Sequence, residues 1–468
     1  MTLRIHDTLR GKKVEFEPRD EKNVRIYVCG PTVYDYAHIG NARPVVVFDV
    51  FYRLLMRLYP KVTYVRNITD VDDKINAAAK ESGESIGDIT ARTTKIFHDD
   101  MAALGNLPPD HEPRATDHIE GMIGLVEKLL ESGHAYEGTG DAEGHVMFDV
   151  PSMPDYGKLS NLNRDELIAG ARVEVAPYKK DPADFILWKP STDDLPGWDS
   201  PWGRGRPGWH LECSVMSEEF LGPEFDIHGG GQDLIFPHHE NEIAQSTCTG
   251  QSGFAKYWMH NGYLLAEGEK MSKSLGNFYT LHDLLDEFPG EAIRLALLKT
   301  HYRQPMDFTK EGLAEAKREL DGFYGALREI PTSGEFEEIR DSGIGEKDPM
   351  ILEALKDDLN TPLALSHLHS DTRELRTIKD AESQSVARDG VVARAYLLGL
   401  LQQDPEAWFK GSATEGGLDD AAIDALIEKR TQARADKDFA RADEIRDQLA
   451  EQGILLEDGA GGTTWKRG

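Results

Sequence analysis

The sequence predicts an α/β fold, in which a Rossmann-like, doubly wound parallel sheet carries an inserted β-rich subdomain. A helical bundle and a small α+β C-terminal domain are expected to follow. Three observations lead to this prediction. Early in the chain, short β-rich runs alternate with helical stretches, which is typical of parallel sheets. Short β runs separated by Gly, Pro and Asp then interrupt this alternation. After residue 309, Leu and Ala recur at three- and four-residue steps, as in packed helices.

The first predicted domain covers residues 1–308. Its expected strands, which are rich in β-branched and aromatic residues, lie at residues 24–28, 62–68 and 225–228. Its expected helices lie at residues 44–58, 74–80, 86–104 and 119–132, and another begins near Pro237. Gly133 occupies the position of a helix C-cap. Strands and helices therefore alternate as a doubly wound sheet requires.

The other predicted segments are an insertion, a bundle and a tail. Residues 134–190 are interpreted as a connective insertion, and residues 309–405 as the helical bundle. A polar, Gly-containing stretch at 411–417 is the expected linker. The tail, residues 418–468, is predicted to contain helices at 421–434 and 439–451 and short strands at 454–457 and 463–466.

Composition excludes several classes of protein. Among 468 residues, 53 Lys and Arg face 83 Asp and Glu, so the net charge of −30 argues against binding nucleic acid by bulk attraction. No run approaches the roughly 18 apolar residues of a membrane span, and no signal peptide is recognisable, so we expect a cytoplasmic protein. The three cysteines lie far apart in sequence, which argues against a disulfide framework.

A first motif for phosphate binding is expected in the connection between the first strand and the first long helix. His38 and Asn41 offer hydrogen bonds to a triphosphate, and Gly40 permits close approach of a nucleotide to the backbone. His-Ile-Gly also occurs by chance in many chains, so a simple loop histidine is the alternative at this point.

A second motif, residues 268–277, resembles a cationic loop. Its Lys270 and Lys273 could follow the charge that develops on phosphorus during transfer. Met271, Ser272 and Ser274 complete a five-residue pattern that is rarer by chance than a basic turn. Both motifs in one α/β chain predict activation of an amino acid with ATP.

A metal site is the hypothesis for the cysteines. His238 and Glu242 are four residues apart, so one helical face could present both to a cation together with Cys29 and Cys213. Spacing alone leaves His239 open as the imidazole ligand, and two buried cysteines with a helix-capping pair are the alternative. A soft ion would distinguish a substrate thiolate from a serine hydroxyl without a separate editing site.

The motifs together closely resemble those of cysteinyl-tRNA synthetases, which are class I aminoacyl-tRNA synthetases. The similarity extends from near the N-terminus to Gly-Thr-Thr-Trp at 462–465. The runs that carry it are residues 27–35, 38–40, 64–74, 208–214, 226–231, 237–242 and 270–277.

The resemblance implies a reaction and a set of site residues. One zinc ion per subunit would lie on Cys29, Cys213, His238 and Glu242, and the amino-acid pocket would be lined by Gly30, Thr69, Trp209 and Asp233. Lys273 would be the main ATP-contacting lysine, and Mg²⁺ would accompany ATP. L-cysteine would become cysteinyl-adenylate and then pass to cysteine tRNA. We expect a monomer whose residues 1–308 are catalytic, whose bundle binds tRNA and whose tail binds the anticodon.

Two features depart from the expected pattern. The family's nucleotide motif usually ends in His, whereas this chain has Asn41, and our hypothesis is that amide hydrogen bonding suffices there. Residues 419–468 contain eight Lys and Arg against twelve Asp and Glu, so base contacts and stacking must outweigh bulk attraction to RNA. The candidate anticodon contacts are Arg434, Phe439, Asp443, Asp458 and Trp465.

Two rival functions remain open from sequence. A ligase of the mycothiol pathway type would make the same adenylate but transfer cysteine to an amino-sugar, and such a chain would lack the C-terminal RNA-binding module. An inactive paralogue would show lesions at His38, Lys273 or the metal ligands, and none is seen.

Overall fold

The computed structural model describes residues 2–163, 166, 179–250, 253–271, 275–334, 339, 350–410, 418–459 and 462–467. The predicted ATP-site residues Ser272, Lys273 and Ser274 and the predicted linker 411–417 lie outside the described residues. The chain divides into two compact units, which are described separately. Unit 1 is Met1–Lys317, Glu346–Leu368 and Leu397–Leu400, and unit 2 is Arg318–Gly345, His369–Tyr396 and Leu401–Gly468.

The strands are β1 (Arg4–Asp7), β2 (Lys12–Glu15), β3 (Val24–Val28), β4 (Val62–Arg66), β5 (Ala135–Glu137), β6 (Val146–Phe148), β7 (Phe185–Pro190), β8 (Gly205–Pro207), β9 (Phe225–Gly231), β10 (Ala255–Asn261), β11 (Leu264–Ala266), β12 (Met306–Phe308), β13 (Ile454–Gly459) and β14 (Gly462–Arg467). The α-helices are α1 (Ile39–Leu58), α2 (Asp73–Ser82), α3 (Ile86–Ala103), α4 (Ile119–Glu131), α5 (Trp209–Leu221), α6 (Glu240–Thr247), α7 (Leu281–Glu287), α8 (Gly290–Leu298), α9 (Lys310–Arg328), α10 (Met350–Lys356), α11 (Thr361–Leu375), α12 (Ala381–Ala395), α13 (Pro405–Lys410), α14 (Asp420–Ala435) and α15 (Phe439–Glu451).

The centre of unit 1 is a four-stranded parallel sheet in the order β10-β9-β3-β4. In its register, Ile26 of β3 lies between Tyr64 of β4 and Ile227 of β9. All five residues of β4 are buried, as expected for a strand that helices cover on both faces. The predicted parallel α/β sheet is therefore confirmed, with β10 as a strand that the sequence did not reveal.

The first long helix begins earlier than expected. Pro44 suggested a start at residue 44, but α1 begins at Ile39 and Pro44 lies inside it. The Asn41 side-chain oxygen accepts the backbone N–H of His38 at 3.1 Å, which caps the helix start. Proline removes one hydrogen bond of the ladder, and the buried apolar run that follows keeps the helix in place.

The inserted subdomain contains an antiparallel sheet in the order β5-β6-β7-β8. Its last strand, β8, lies beyond residue 190, so the β-rich region extends to Pro207. Phe148, Phe185 and Trp188 contribute to a core shared with α4 and α5. The insertion therefore packs directly against the helices that flank the sheet.

Unit 2 contains α12 and α13 together with the small C-terminal domain. There α14 and α15 pack with the β13–β14 hairpin around Ile423, Ile427, Ile445, Leu449, Ile454 and Trp465. The predicted helix at 439–451 has the observed bounds, and both predicted strands are present. Among the described helices, none combines the length and the apolar character needed to cross a membrane.

Candidate active site

Two thiols, a carboxyl group and two imidazoles meet at the carboxyl end of the parallel sheet. The Cys29 sulfur lies 3.5 Å from the Cys213 sulfur, 3.6 Å from Glu242 Oε1 and 3.3 Å from His239 Nε2. His238 Nε2 lies 3.1 Å from Glu242 Oε1. Ligand atoms of Cys29, His238, His239 and Glu242 all lie within 4.8 Å of one another. The structure thus brings the four predicted metal ligands together and adds His239.

Three parts of the fold place these side chains. Cys29 directly follows β3, Cys213 is in α5, and Glu242 is in α6. The predicted helix start near Pro237 agrees with the structure, because residue 236 is extended and a π-helical turn follows it, although the regular α-helix begins at Glu240. The backbone at His239 is nevertheless helical, so His238 and Glu242 still meet across one turn.

Other side chains hold the cluster in place. His228 Nε2 lies 2.7 Å from Glu242 Oε2, and His239 Nδ1 lies 2.7 Å from His260 Nε2. His238 is stacked on Trp209, with ring centroids 4.2 Å apart. Sequence reasoning missed His260. Its only signal was a place near the end of a β-rich run, which does not distinguish a core histidine from a site residue.

The predicted amino-acid pocket surrounds this cluster. The Thr69 hydroxyl donates to Glu212 Oε2 at 2.7 Å and accepts from the Asn67 amide at 3.2 Å, so it is fixed in a buried network. Gly30 donates its N–H to Asn67 Oδ1 at 2.8 Å. Asn67 and Glu212 were not singled out from sequence, although both stand inside the recognised motifs.

Gly30 and the two remaining pocket residues differ in exposure and purpose. A Cβ at Gly30 would lie 1.7 Å from the carbonyl oxygen of Asn67, so only glycine fits there. Trp209 is 38% exposed and Asp233 is exposed, so both can reach a ligand. The negative charge of Asp233 acts on His38, which places it beside the nucleotide motif.

The two predicted halves of the nucleotide site are neighbours in the structure. The Ile39 N–H donates to Tyr279 O at 3.1 Å, and the Leu281 N–H donates to Ala37 O at 2.7 Å. The segment that follows residues 268–277, the Lys270 loop, is therefore hydrogen-bonded to the segment that begins α1. Burial lowers the pKa of His38, and its Nδ1 is buried with no hydrogen-bond partner in the described part of the chain.

Gly40 and Met271 bring the halves into contact. A Cβ at Gly40 would lie 2.9 Å from two ring atoms of His38 and 3.0 Å from the Met271 methyl group. Lys270 is exposed and Met271 is partly buried. The loop is closed at its base by the Asn277 amide, which donates to Ala266 O at 3.1 Å and lies 3.5 Å from Lys270 O.

The predicted anticodon residues fall into two groups. Phe439 is 64% exposed at the start of α15, and Asp443 is in the same helix, 3.2 Å from Arg446. Arg434 and Asp458 instead pair with each other at 3.0 Å.

Trp465 is not available as an RNA contact. It is 2% exposed, and its indole N–H donates to Asp424 at 2.8 Å. The ring is therefore part of the core of the small domain, and the candidate contact is corrected to a packing residue.

Comparisons with known families cover nearly the whole chain. Residues 15–318 match the model described as tRNA synthetases class I (C) catalytic domain. Residues 351–402 match the DALR domain, and residues 418–465 match the cysteinyl-tRNA ligase anticodon binding domain.

Solved structures similar to this chain have low sequence identity and therefore support only the fold. Mycobacterium tuberculosis methionyl-tRNA synthetase in complex with methionyl-adenylate has a TM-score of 0.56 at 17% identity, covering 82% of this chain and 91% of that one. An Agrobacterium radiobacter LeuRS in a ternary complex with tRNA has a TM-score of 0.57 at 12% identity, covering 84% and 85%.

Curated relatives are far more similar in sequence than these solved structures. A protein of Paramagnetospirillum magneticum named cysteine–tRNA ligase is 62% identical over 469 residues, covering 100% of both chains. The protein of that name from Rhodospirillum rubrum is 61% identical over 470 residues, again covering 100% of both. The relatives match over their full length, and the family models match both a catalytic and an anticodon-binding domain. The chain therefore belongs to the cysteinyl-tRNA synthetases, a family of class I aminoacyl-tRNA synthetases.

Proposed function

We propose that this chain activates L-cysteine with ATP, releasing pyrophosphate, and then transfers the cysteinyl group from its adenylate to the 3′ end of cysteine tRNA. The observation that carries the proposal is that the Cys29–Cys213 cluster and the nucleotide motif both follow β3, at the carboxyl end of the parallel sheet. The match of residues 418–465 to an anticodon-binding model also disfavours an amino-sugar acceptor, since such a ligase would lack that module.

The donor set fits a zinc ion, one per subunit, on Cys29, Cys213, His238 and Glu242. Burial, together with the neighbouring Cys213 and Glu242, raises the pKa of Cys29 well above its usual value, and burial raises the pKa of Cys213. Three groups that are negative when ionised share one buried space, and a divalent cation would favour their ionised forms. Two thiolates with an imidazole and a carboxylate are ligands typical of zinc. The bound ion would supply a soft ligand position that favours a thiolate over a hydroxyl.

The surrounding residues orient the amino acid. We assign Trp209, stacked on His238, as one wall of the pocket, and Gly30 as the position where the backbone must approach closely. Thr69 lines the pocket, and its hydroxyl is held by Glu212 and Asn67. Asp233 is exposed at the rim, where its carboxylate suits the α-ammonium group of the substrate.

ATP, with Mg²⁺, is proposed to bind between the two motifs. The unpartnered buried Nδ1 of His38 fits a ligand atom, since buried polar atoms are normally satisfied. Because burial lowers the pKa of His38, its imidazole is neutral at pH 7 and acts as a hydrogen-bonding group. The other proposed ATP contacts are Gly40, Asn41, Lys270, Met271, Ser272, Lys273 and Ser274.

The remaining proposals concern tRNA and assembly. Residues 309–405 are proposed to bind the tRNA and residues 418–468 its anticodon, through Phe439, Asp443, Arg434 and Asp458. The exposed ring of Phe439 supports this assignment, because an exposed aromatic face can stack on an unpaired base. We propose a monomeric, cytoplasmic enzyme.

The test is cysteine-dependent exchange of pyrophosphate into ATP, with serine as competitor, followed by charging of a cysteine tRNA transcript. We expect exchange with cysteine, little with serine, and charging that depends on the transcript. Exchange without charging would contradict the tRNA assignment, and absence of exchange would contradict the enzymatic function.

Zinc is tested separately by metal analysis of purified variants. We expect His238→Ala to lose zinc, whereas His239→Ala retains it, because His238 Nε2 lies 3.1 Å from Glu242 Oε1 and His239 Nε2 lies 3.9 Å from the same atom. Loss of zinc only in His239→Ala would reverse the assignment of the imidazole ligand.

A further inference from the structure

Arg43 is a fully buried arginine close to the nucleotide motif. It lies in α1, three residues after Gly40 and two after Asn41, and is 0% exposed. Among the described residues no carboxylate pairs with it, and its Nε has no hydrogen-bond partner. Burial lowers its pKa to about 10, which leaves it positively charged at neutral pH. A buried charge without a counter-ion is costly, so its contacts require an explanation.

Four backbone carbonyl groups surround its guanidinium group. Nη1 donates to Gly262 O and Tyr263 O, both at 2.7 Å. Nη2 donates to Gln304 O at 2.7 Å and His301 O at 3.4 Å. The planar guanidinium group fixes several acceptors in one geometry, which a lysine ammonium cannot reproduce. Arg43 therefore holds two chain segments against the start of α1.

The first of these segments leads into the Lys270 loop. Gly262 and Tyr263 connect β10 to β11, and β11 ends at Ala266. Ala266 is paired with Glu269 and also accepts the Asn277 amide that closes the loop. The upstream end of the Lys270 loop is thus attached to β11, which begins directly after the residues that Arg43 contacts.

The second segment supports the first. The Gly262 N–H donates to Tyr302 O at 2.7 Å, and β11 pairs in parallel with β12. A Cβ at Gly262 would lie 2.7 Å from the carbonyl oxygens of Arg303 and Gln304, so the two segments are in tight contact. A displacement at Arg43 would therefore move both segments together.

The downstream end of the Lys270 loop is fixed by other contacts. Tyr279 and Leu281 are hydrogen-bonded to Ile39 and Ala37, at the start of the same helix. Both ends of the loop are therefore fixed to the first turns of α1. Backbone hydrogen bonds hold the downstream end, and Arg43 holds the upstream end. This is the arrangement that would keep Lys270 aligned with His38 across a triphosphate.

We propose that Arg43 is a positioning residue for adenylate formation: its guanidinium group sets the distance between the two halves of the ATP site by anchoring the upstream end of the Lys270 loop. The inference rests on the proposed function. It concerns the step in which charge develops on the phosphates, and the later transfer of the cysteinyl group to tRNA does not need the same alignment.

The test compares the two steps in Arg43→Lys. Adenylate formation is followed by pyrophosphate exchange, with kcat and the KM for ATP measured separately. Transfer is followed in a single turnover, by mixing isolated enzyme-bound adenylate with tRNA. We expect kcat for exchange to fall about 10²-fold, as misplacement by about 1 Å can cause. Transfer should stay within about threefold of the unsubstituted protein.

Arg294→Lys is the matched control. Arg294 is also 0% exposed, but it binds Asp49, Leu398 O at 2.6 Å and Asn106 Oδ1 at 3.0 Å, away from the Lys270 loop. Thermal unfolding midpoints show how far each variant is destabilised. We expect the control to lose stability while the ratio of exchange rate to transfer rate is preserved.

The outcomes are separable. If the unsubstituted protein shows no cysteine-dependent exchange, the proposed function fails. If it is active but Arg43→Lys slows both steps equally, or slows neither, the positioning role is overturned. Should Arg43→Lys not fold, Gly262→Ala disturbs the same carbonyl groups and must show the same selective loss of exchange, and equal loss of both steps would again overturn the inference.

Discussion

At the scale of single residues, the nucleotide motif depends on how the His38 ring lies over the helix start. The ring occupies the space where a Cβ of residue 40 would be, and Met271 closes that space from the other side. Sequence reasoning assigned Gly40 to close approach of a nucleotide. The structure adds a second reason for glycine at this position, because a Cβ would lie only 2.9 Å from the His38 ring.

Gly40→Ala should therefore impair activation of cysteine. The added methyl group would displace His38 or Met271, and we expect pyrophosphate exchange to slow by about 10²-fold. Gly87→Ala is the control, because Gly87 is likewise the second residue of a helix but has only Ser85 Oγ, at 3.9 Å, near its Cβ position. The control should change the rate by no more than about twofold. Equal rates in the two variants would contradict this explanation.

Asn41 has a structural task as well as its proposed contact with ATP. Its Oδ1 accepts the His38 N–H, so Asn41→Ala should destabilise the helix start by about 1 kcal/mol and slow exchange. Asn41→Asp retains an acceptor but loses the amide donor, so its unfolding midpoint should persist while exchange slows. Unchanged exchange in Asn41→Ala would show that the amide is not used. A large gain in exchange for Asn41→His would show that the amide is not sufficient.

At the scale of elements, the strands and helices that were predicted individually mostly agree with the observed bounds to within a few residues, because buried runs and helical periodicity are local signals. Strands such as β1, β10 and β12 were not predicted. The start of α1 was missed since capping by Asn41 depends on a side-chain contact, whereas proline is visible in sequence. The metal cluster was proposed from residue type and from the spacing of His238 and Glu242, but only the family resemblance favoured His238 over His239. Its members come from three elements, and no local spacing specifies that His239 would join them.

The small C-terminal domain separates exposed from packed aromatic residues. Phe439→Ala should lower kcat/KM for tRNA charging, by about tenfold if the ring stacks on one base, and leave pyrophosphate exchange unchanged. Leu455→Ala, at another exposed apolar residue of this domain, is the control and should not affect charging. Trp465→Ala should instead destabilise the domain by about 3–5 kcal/mol, because it empties the core. Normal charging by Phe439→Ala would remove this residue from the proposed interface.

At the scale of the whole molecule, the charge of −30 limits how tRNA can be bound. Counter-ion release from many phosphate contacts would raise the KM for tRNA by about 10³–10⁵-fold between about 50 and 200 mM salt, if six to ten phosphates were neutralised. Few basic residues are free for that role in the tail, where Arg430 and Arg434 both bind Asp458. Shape and base stacking depend less on salt. We therefore expect the KM for cysteine tRNA to rise by less than about tenfold over this range.

The measurement is tRNA charging at several KCl concentrations, with pyrophosphate exchange in the same buffers to correct for salt effects on ATP and cysteine. A steep rise in the KM for tRNA, with exchange unaffected, would mean that a basic track for phosphates exists despite the net charge. A shallow rise would show that the acidic surface is compatible with tRNA binding because the affinity comes from contacts with bases, such as stacking on Phe439.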